Sequence, residues 1–242
     1  MPKSAQPTAA NGNRLLAILS KSLPAKEYRR LLSLMEEVSL EQHRVLIDQG
    51  QAIKYVYFPA NAMISLVSLM EEGESVETGA VGREGMLGIP LLLGVNATPM
   101  RSVVQIAGEA LRMRASVFQA ELERNTRMRK ALCLYLHIQF VEISQTAACN
   151  KLHPTTGRLA RWLLISSDCV ASEELALTHD FLATMLGIRR AGVTEAAGDL
   201  KGKGLIDYHR GKITILDRRG LEDTACECYD VVKRETNRLY AD

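Results

Sequence analysis

The chain has 242 residues, of which 47% are hydrophobic and 24% charged, with a net charge of +2. This length suits one large or two modest domains, and the composition is that of a globular protein. The net charge is too small to indicate nucleic-acid binding by itself, so only a local basic cluster could do so. No apolar run is long enough to span a membrane and no signal peptide is recognisable, so we expect a cytoplasmic protein without membrane contact.

The N-terminal region is polar at its start. We expect residues 1–23 to form a flexible N-terminus, in which residues 14–20 could still make a short helix. A further helix is predicted over residues 25–35, because its apolar side chains recur at helical spacing. Pro24 is compatible with the first turn of that helix. The apolar face consists of Tyr28, Leu31, Leu32 and Met35.

Between about residue 40 and residue 113 the pattern changes to short apolar runs separated by turn residues. Many short strands at regular spacing predict an α+β protein with an N-terminal double-stranded β-helix, or jelly roll. With the preceding helix it would form a sensor domain over residues 24–124. Its interior could hold a small ligand or be filled by side chains. The predicted strands are 44–47, 55–58, 63–70, 75–81, 101–106 and 110–113.

The histidines and glycines give no indication of an enzyme. A cupin-type metal centre needs two or three histidines and a carboxylate that converge on one ion, whereas only His43 lies in the barrel segment. No Cys–His–Asp set stands out, and the glycines of residues 82–88 do not join a strand to a long helix as a phosphate-binding loop would. We therefore expect no enzymatic activity and no catalytic residues.

The cysteines lack the spacing that is typical of a metal site. Cys226 and Cys228 fall on a helix predicted over residues 221–239, where positions i and i+2 point to different faces. We interpret the cysteines as reduced, mostly buried thiols, and we expect neither a metal site nor a cofactor. The five cysteines are Cys133, Cys149, Cys169, Cys226 and Cys228.

A long helix is predicted after the barrel, and residues 125–152 are interpreted as a dimerisation helix. Two of its faces are apolar, whereas an ordinary surface helix needs only one. One face would then pack on the barrel and the other on a second copy of the chain. A buried helix in a monomer core is the alternative, and the sequence does not decide which face forms the seam. The residues proposed for the dimer helix are Leu134, Ile138, Phe140 and Val141.

A joint is predicted at the end of the long helix, because Pro154 disfavours helical backbone at His153. The C-terminal domain would span residues 153–242 and begin with a helix over residues 158–166. An effector would act by changing the angle at Pro154, as in a hinge-type switch.

The stretch from residue 177 to residue 217 predicts a helix, a tight turn, a second helix and a β-hairpin. Thr178 suits the N-cap of the first helix, and Gly187 suits its end. The second helix would begin near Arg189, and Arg210-Gly211 suits a hairpin turn. This order of elements is that of a winged helix-turn-helix, whose second helix enters the major groove of DNA with its N-terminal residues.

Basic side chains occupy the positions that would face DNA. The arginine fork matches the O6 and N7 acceptors of guanine, and the basic residues of the hairpin suit phosphates. The alternative is a small helical hairpin with a solvated basic end. The proposed base contacts are Arg189, Arg190, Ala191, Thr194 and Glu195, and the proposed phosphate contacts are Thr178, His179, His209, Arg210 and Lys212.

This segment resembles the DNA-binding domain of the Crp/Fnr superfamily, the cyclic-AMP-receptor-like bacterial regulators. The resemblance implies a dimer joined along the long helix and a palindromic operator in double-stranded DNA. RNA polymerase and an unidentified small-molecule effector are further partners that it suggests. The family usually has Glu or Ser directly after the arginine, where this chain has Ala191 and Gly192, so no target sequence is implied. The matching residues are Leu177-Thr178, Leu186-Gly187-Ile188, Arg190, Val193 and Gly204-Leu205-Ile206.

The resemblance extends less specifically to the phosphate-binding cassette of cyclic-nucleotide domains. The closing Arg-Ser pair of that cassette is present as Arg101-Ser102. At the opening, Gly88 is followed by Ile89 in place of the family's glutamate, and an apolar side chain cannot accept a hydrogen bond from a ribose hydroxyl. We therefore expect a degenerate effector pocket that binds no cyclic nucleotide. Arg101 would bind another anion or be paired within the barrel, and the second is favoured.

These observations predict a DNA-binding transcription regulator that acts as a homodimer. The alternative is a small-molecule-sensing module whose output is protein contact, in which the helix-turn-helix is kept as an element of the fold. DNA affinity distinguishes the two. The sequence specifies neither the operator nor whether the protein activates or represses.

Overall fold

The computed structural model describes residues 8–241 of the chain. Residues 1–7 of the expected flexible N-terminus lie outside the described part. From residue 8 onward the chain is folded, since a 3-10 helix (Thr8–Gly12) precedes α1 (Arg14–Ser22) and α2 (Ala25–Ser33). Leu15, Leu16 and Leu19 are fully buried, so residues 8–23 belong to the packed structure and the expectation of flexibility is corrected there.

Asn13 explains why α1 begins where it does. Its Oδ1 accepts a hydrogen bond from the backbone N–H of Leu16 at 2.9 Å, which caps the helix. Its Nδ2 donates to the carbonyl oxygens of Pro59 and Gly85, each at 2.8 Å. One buried side chain therefore both starts the helix and fastens it to the end of a barrel strand and to a barrel loop.

The barrel segment forms two sheets, as predicted for a jelly roll. One sheet has the order β1-β7-β3 and the other the order β2-β6-β4-β5. β1 was not predicted from the sequence, and a 3-10 helix (Ile89–Leu93) lies between β5 and β6. The strands are β1 (Glu36–Leu40), β2 (Val45–Ile47), β3 (Tyr55–Pro59), β4 (Met63–Leu69), β5 (Ser75–Val81), β6 (Arg101–Ile106) and β7 (Gly108–Arg114).

Two helices follow the barrel strands. α3 (Ala115–Arg124) leads into α4 (Thr126–Leu152), the predicted long helix. Asn125 separates them and caps α4, since its Oδ1 accepts from the backbone N–H of Met128 at 3.0 Å.

The C-terminal part consists of a long helix, a helix-turn-helix and a small sheet of order β8-β10-β9. Trp162, on the first helix of this part, is buried, and its indole N–H donates to Glu77 Oε1 at 2.7 Å. The elements are α5 (Thr155–Val170), β8 (Glu174–Ala176), α6 (His179–Leu186), α7 (Arg190–Gly202), β9 (Ile206–His209), β10 (Lys212–Ile215), α8 (Arg218–Thr224) and α9 (Glu227–Tyr240).

The prediction of one C-terminal helix over residues 221–239 is wrong, because the chain forms two helices there. α8 ends at Thr224, and the backbone of Ala225 and Cys226 is extended before α9 begins. Tyr229 on α9 is buried and donates from its hydroxyl to Asp168 Oδ2 on α5 at 2.8 Å. This contact fixes α9 on α5.

The chain divides into two compact units. One contains the chain up to Ser65 together with Val81–His137, and the other contains Leu66–Ala80 together with the chain from Ile138 onward. The division therefore falls within α4, and the β4–β5 hairpin is grouped with the C-terminal elements. The predicted boundaries at residues 124 and 152 lie at the end of α3 and at the end of α4. None of the helices in the described part has the length and apolar character needed to cross a bilayer.

Candidate nucleic-acid interface

The two helices of the helix-turn-helix begin and end at the predicted residues. Thr178 is the N-cap of α6, and its hydroxyl accepts from the backbone N–H of Phe181 at 3.3 Å. Gly187 ends α6 with a φ of 61°, in the left-handed region that glycine tolerates best. Arg189 is the N-cap of α7. The turn between the helices is therefore short and has a defined backbone conformation.

α7 presents one polar face and one apolar face. Its buried face consists of Val193, Ala196, Ala197 and Leu200. All the residues that the sequence proposes for base contacts lie on the exposed side, at or near the N-terminal end of the helix. They are Arg189, Arg190, Ala191, Thr194 and Glu195.

The hairpin turn provides a second exposed basic surface. Arg210 and Gly211 both have positive φ values, 47° and 79°, which is the backbone of a two-residue type I′ turn. The turn connects β9 to β10 with His209 paired to Lys212. His209, Arg210 and Lys212 are exposed, and the Lys212 ammonium lies 2.5 Å from Glu174 Oε2. β8, which contains Glu174 and pairs with β10, was not predicted from the sequence.

Arg190 is held by an ion pair within the helix-turn-helix. Its Nε lies 3.1 Å from Oδ1 of Asp180 in the first turn of α6. Both side chains are mostly exposed, at 68% and 74%, so the pair contributes little stability and can rearrange at low cost. Asp180 therefore orients the arginine that is the best candidate for reading a base.

His179 is half-buried within the helix-turn-helix domain. Its ring stacks on Tyr208 with 4.2 Å between centroids, and its Nδ1 lies 3.2 Å from the hydroxyl of Thr194. Nε2 is buried and has no hydrogen-bond partner within the described residues. Burial of the ring and the positive charge of Arg190 lower the pKa of His179, which keeps it neutral at pH 7. The ring of His179 therefore takes part in packing between α6, α7 and β9, and its phosphate contact stays a prediction.

The exposed apolar surface of α4 differs from the predicted seam at one position. Phe140 is 68% exposed, and Leu134 and Val141 are half-buried. Ile138 is only 2% exposed within a single protomer, so it belongs to the core and is removed from the proposed seam. Leu134, Phe140 and Val141 remain as candidates for contact with a second copy.

The residues proposed for a degenerate effector pocket are largely engaged within the barrel. Arg101 Nε lies 2.8 Å from Asp48 Oδ1, and this hydrogen bond, with one from the backbone N–H of Gln49, lowers the pKa of the Asp48 carboxyl. Ser102 and Ile89 are buried. Gly88 has a φ of 111° and lies so close to Val56 that a Cβ would be 2.7 Å from Cγ1 of that side chain.

Two family models match the chain in the order in which these elements occur. The model of the cyclic nucleotide-binding domain matches residues 37–125, which include most of the barrel. The model of the Crp-like helix-turn-helix domain matches residues 157–224. The chain belongs to the Crp/Fnr family. It is a DNA-binding transcription regulator of the Crp/Fnr type.

Curated regulators are similar to this Crp/Fnr chain over most of their length. The global nitrogen regulator of a Nostoc species is 23% identical over 186 residues, which are 73% of this chain and 83% of the relative. The anaerobic regulatory protein of Bacillus subtilis is 22% identical over 209 residues, which are 83% of this chain and 88% of the relative.

Solved structures show the same fold. FixK2 from Bradyrhizobium japonicum has a TM-score of 0.67 and 15% identity, with 79% of this chain and 98% of that chain covered. A putative transcriptional regulator of the Crp/Fnr family from Eubacterium rectale has a TM-score of 0.65 and 16% identity, with 85% of this chain and 96% of that chain covered.

One group of side chains in this Crp/Fnr regulator was missed by the sequence analysis. Cys149, His153, Cys226 and Cys228 come together near the end of α4. The expectation that Cys226 and Cys228 point to different faces of one helix is wrong, because Cys226 is the N-cap of α9 and lies outside the helix. The sequence signal that could have revealed the group is the pair Cys149-x-x-x-His153, which places two ligand types one helical turn apart.

Proposed function

We propose that this Crp/Fnr regulator acts in the cytoplasm as a homodimer joined along α4. The observation that supports the dimer is the exposure of Phe140, together with the partial exposure of Leu134 and Val141, on a helix of 27 residues. A large aromatic side chain exposed to this degree in one protomer gains from burial against a partner. Two-fold symmetry would bring the same face of α4 from both copies together.

The dimer would recognise a palindromic operator. In a helix-turn-helix dimer the two recognition helices enter successive major grooves about 34 Å apart. The exposed N-terminal end of α7 supports a base-reading role for Arg190, with Arg189, Thr194 and Glu195 beside it. Thr178, His209, Arg210 and Lys212 are exposed and suit phosphate contacts, which position the protein without specifying sequence.

The barrel would bind no cyclic nucleotide. Arg101, the residue that would hold a cyclic phosphate, is already paired with Asp48. Ile89 offers no acceptor for a ribose hydroxyl, and its side chain is 7% exposed. A cyclic nucleotide would therefore have to break an ion pair and leave a hydroxyl unpaired, which costs affinity on both counts.

A selection from random duplexes tests the DNA-reading proposal. The ligand-free protein is mixed with a pool of random double-stranded DNA, and the retained duplexes are sequenced. We expect an enriched palindrome with half-sites about one helical turn apart. The selection is repeated with Arg190→Ala. The matched control is Arg44→Ala, at an exposed arginine before β2. Enrichment without symmetry would contradict the homodimer, and equal retention of all sequences would contradict base reading.

Calorimetric titration tests the barrel. We expect no heat of binding from cyclic AMP or cyclic GMP, with the wild-type protein and with Asp48→Asn, which releases Arg101 from its carboxylate partner. Saturable binding to the wild-type protein would contradict the proposal. Binding to Asp48→Asn alone would instead show that the Arg101–Asp48 pair excludes the nucleotide. The two variants therefore distinguish the effect of this ion pair from the effect of the missing acceptor at Ile89.

A further inference from the structure

Four side chains with metal-binding atoms converge at the junction between α4 and α9. Cys149 lies in the last turns of α4, and His153 follows the last residue of that helix. Cys226 is the N-cap of α9, and Cys228 lies in its first turn. Their ligand atoms all lie within 4.8 Å of one another. The Sγ atoms of Cys149 and Cys226 are 3.3 Å apart, and Cys228 Sγ is 3.6 Å from His153 Nδ1.

These separations fit a single tetrahedral ion. With metal bonds of about 2.3 Å to sulfur and about 2.0 Å to nitrogen, neighbouring donors in a tetrahedron are about 3.5–3.8 Å apart. Two donor pairs, at 3.3 Å and 3.6 Å, already lie near those separations, and all the donors lie within 4.8 Å of one another, so an ion could bind after side-chain movements of about 1 Å. A four-iron cluster binds each ligand to a different iron and requires donors further apart than this. Three sulfurs and one imidazole nitrogen are a donor set typical of Zn²⁺.

The imidazole of His153 has the outer partner that metal-bound histidines usually have. Its Nε2 lies 3.2 Å from Oε2 of Glu227, while Nδ1 faces the cysteines. A carboxylate that accepts from one ring nitrogen fixes the tautomer and leaves the other nitrogen as a metal ligand. Glu227 is the residue between Cys226 and Cys228, so the turn that supplies two thiols also orients the histidine.

Two buried arginines supply positive charge around the same group. Arg158 and Arg161 are 9% and 5% exposed, and the Nε of each has no hydrogen-bond partner among residues 8–241. Burial lowers the pKa of Arg158, whereas thiolate charge on Cys149 or Cys226 would raise it. A divalent ion bound by three thiolates has a net negative charge. It would therefore be stabilised by these guanidinium groups, which are costly to bury without a counter-charge.

We propose that Cys149, His153, Cys226 and Cys228 bind one divalent metal ion of the Zn²⁺ type. The ion would connect Cys149 to Cys226, which are 77 positions apart in sequence, and fasten the start of α9 to the end of α4. Because the unfolded chain does not hold the four ligands together, binding of the ion stabilises the folded state. The proposal concerns the site itself and does not depend on homodimer formation or on the operator.

Metal analysis of the full-length protein is the first test. The protein is purified under reducing conditions without added chelator, and its zinc, iron, cobalt, nickel, copper and acid-labile sulfide are measured per protomer. We expect close to one zinc ion per protomer. After removal of that ion, addition of Co²⁺ should give the thiolate-to-cobalt charge-transfer absorption and the visible bands of a tetrahedral site, with an end point at one equivalent. Added Zn²⁺ should abolish both the charge-transfer absorption and the visible bands.

Single substitutions identify the ligands. Cys149→Ser, Cys226→Ser, Cys228→Ser and His153→Asn should each lower metal affinity by at least a hundredfold, measured by competition with a coloured chelator. Cys133→Ser is the matched control, because Cys133 is exposed on α4 outside the group, and its affinity should equal that of the wild type. Glu227→Gln should lower affinity by about tenfold to a hundredfold, since it removes the partner of a ligand and keeps the ligand.

Measurements on the wild-type protein test the metal site even if a substituted chain fails to fold. Chelator treatment should lower the Tm of the wild-type protein, and reloading with Zn²⁺ should restore it. Absence of metal in the purified protein, together with no cobalt spectrum from the reduced chain, would overturn the proposal. Iron with stoichiometric sulfide would also overturn it in favour of a cluster. A Cys149–Cys226 disulfide that resists the reductant used in purification and is found by mass spectrometry in place of bound metal would overturn it in favour of a redox pair.

Discussion

Arg190 and Asp180 form an ion pair that joins the two helices of the helix-turn-helix, with 3.1 Å between Nε and Oδ1. Asp180 lies in the first turn of α6, where its negative charge also interacts favourably with the helix dipole. Arg190 is the first residue of α7. The carboxylate thus positions the guanidinium at the end of α7 that would face bases.

Replacing Arg190 separates base reading from general DNA affinity. Arg190→Ala should cost about 1–3 kcal/mol on the selected operator and relax the preference at one base pair in each half-site. Asp180→Asn should relax the same base pair while changing the free energy of unfolding by less than about 1 kcal/mol, because the pair is exposed. Binding to a series of operator variants and urea unfolding measure the two effects. Equal weakening by Arg190→Ala on every variant would remove this residue from base reading.

Lys212 should contribute to affinity on every sequence alike. Lys212→Ala is expected to weaken binding to the operator and to unrelated DNA by the same factor, because a phosphate contact carries no sequence information. The slope of log affinity against log salt should fall in magnitude by about one. Lys54→Ala, an exposed lysine outside the interface, is the control with an unchanged slope. A slope equal to that of the wild type would show that Lys212 meets no phosphate.

Phe140 should decide the oligomeric state. Phe140→Glu is expected to give monomers in sedimentation velocity at concentrations where the wild type is dimeric, because a charge on each copy would be buried opposite its symmetry mate. Val45→Glu, at another exposed apolar residue, should leave the dimer intact. Charging Ile138 is unsuitable for this purpose, since that side chain is 2% exposed and the substitution would destabilise the core. A Phe140→Glu protein that remained dimeric would place the interface elsewhere.

The lowered pKa of His179 predicts a contribution of this residue to acid sensitivity. A histidine whose pKa is lower in the folded than in the unfolded state is stabilising at pH values above its unfolded pKa, about 6.5. That contribution is lost as the pH falls through the unfolded and then the folded pKa. Between pH 7.5 and pH 5 the wild type should therefore lose more stability than His179→Gln, measured by urea unfolding. His209→Gln, an exposed histidine on the hairpin, should behave like the wild type. Equal losses in all three proteins would contradict the role given to His179.

Much of the helix-turn-helix could be predicted because its signals are local. Thr178 caps a helix through an atom three residues away, Gly187 ends it with a backbone conformation that glycine favours, and Arg210-Gly211 makes a two-residue turn. These features depend on nearby backbone geometry, which the residue types themselves specify. The DNA contacts proposed for the helix-turn-helix and the hairpin stay predictions.

The remaining assignments depended on contacts between residues far apart in sequence. Periodicity placed Phe140 and Ile138 on two different apolar faces of α4 without deciding that Phe140 is exposed and Ile138 is buried. In the same way, the sequence did not indicate that the ring of His179 stacks on Tyr208 and lies within hydrogen-bond distance of Thr194. The edge strands β1 and β8 lack a strong apolar alternation, and their pairing with β7 and β10 defines them.

By itself, the sequence determined the order of the barrel, the long helix and the winged helix-turn-helix, as well as the residues at the start of the recognition helix. Hydrophobic period, caps and turns act over a few residues, so they can be read from the chain alone. The tertiary structure alone decided that Cys149 and His153 meet Cys226 and Cys228, because this requires α8 to end before Cys226 and α9 to return to the end of α4. Convergence of side chains from distant elements is a property of packing, and the packing of the whole chain sets it.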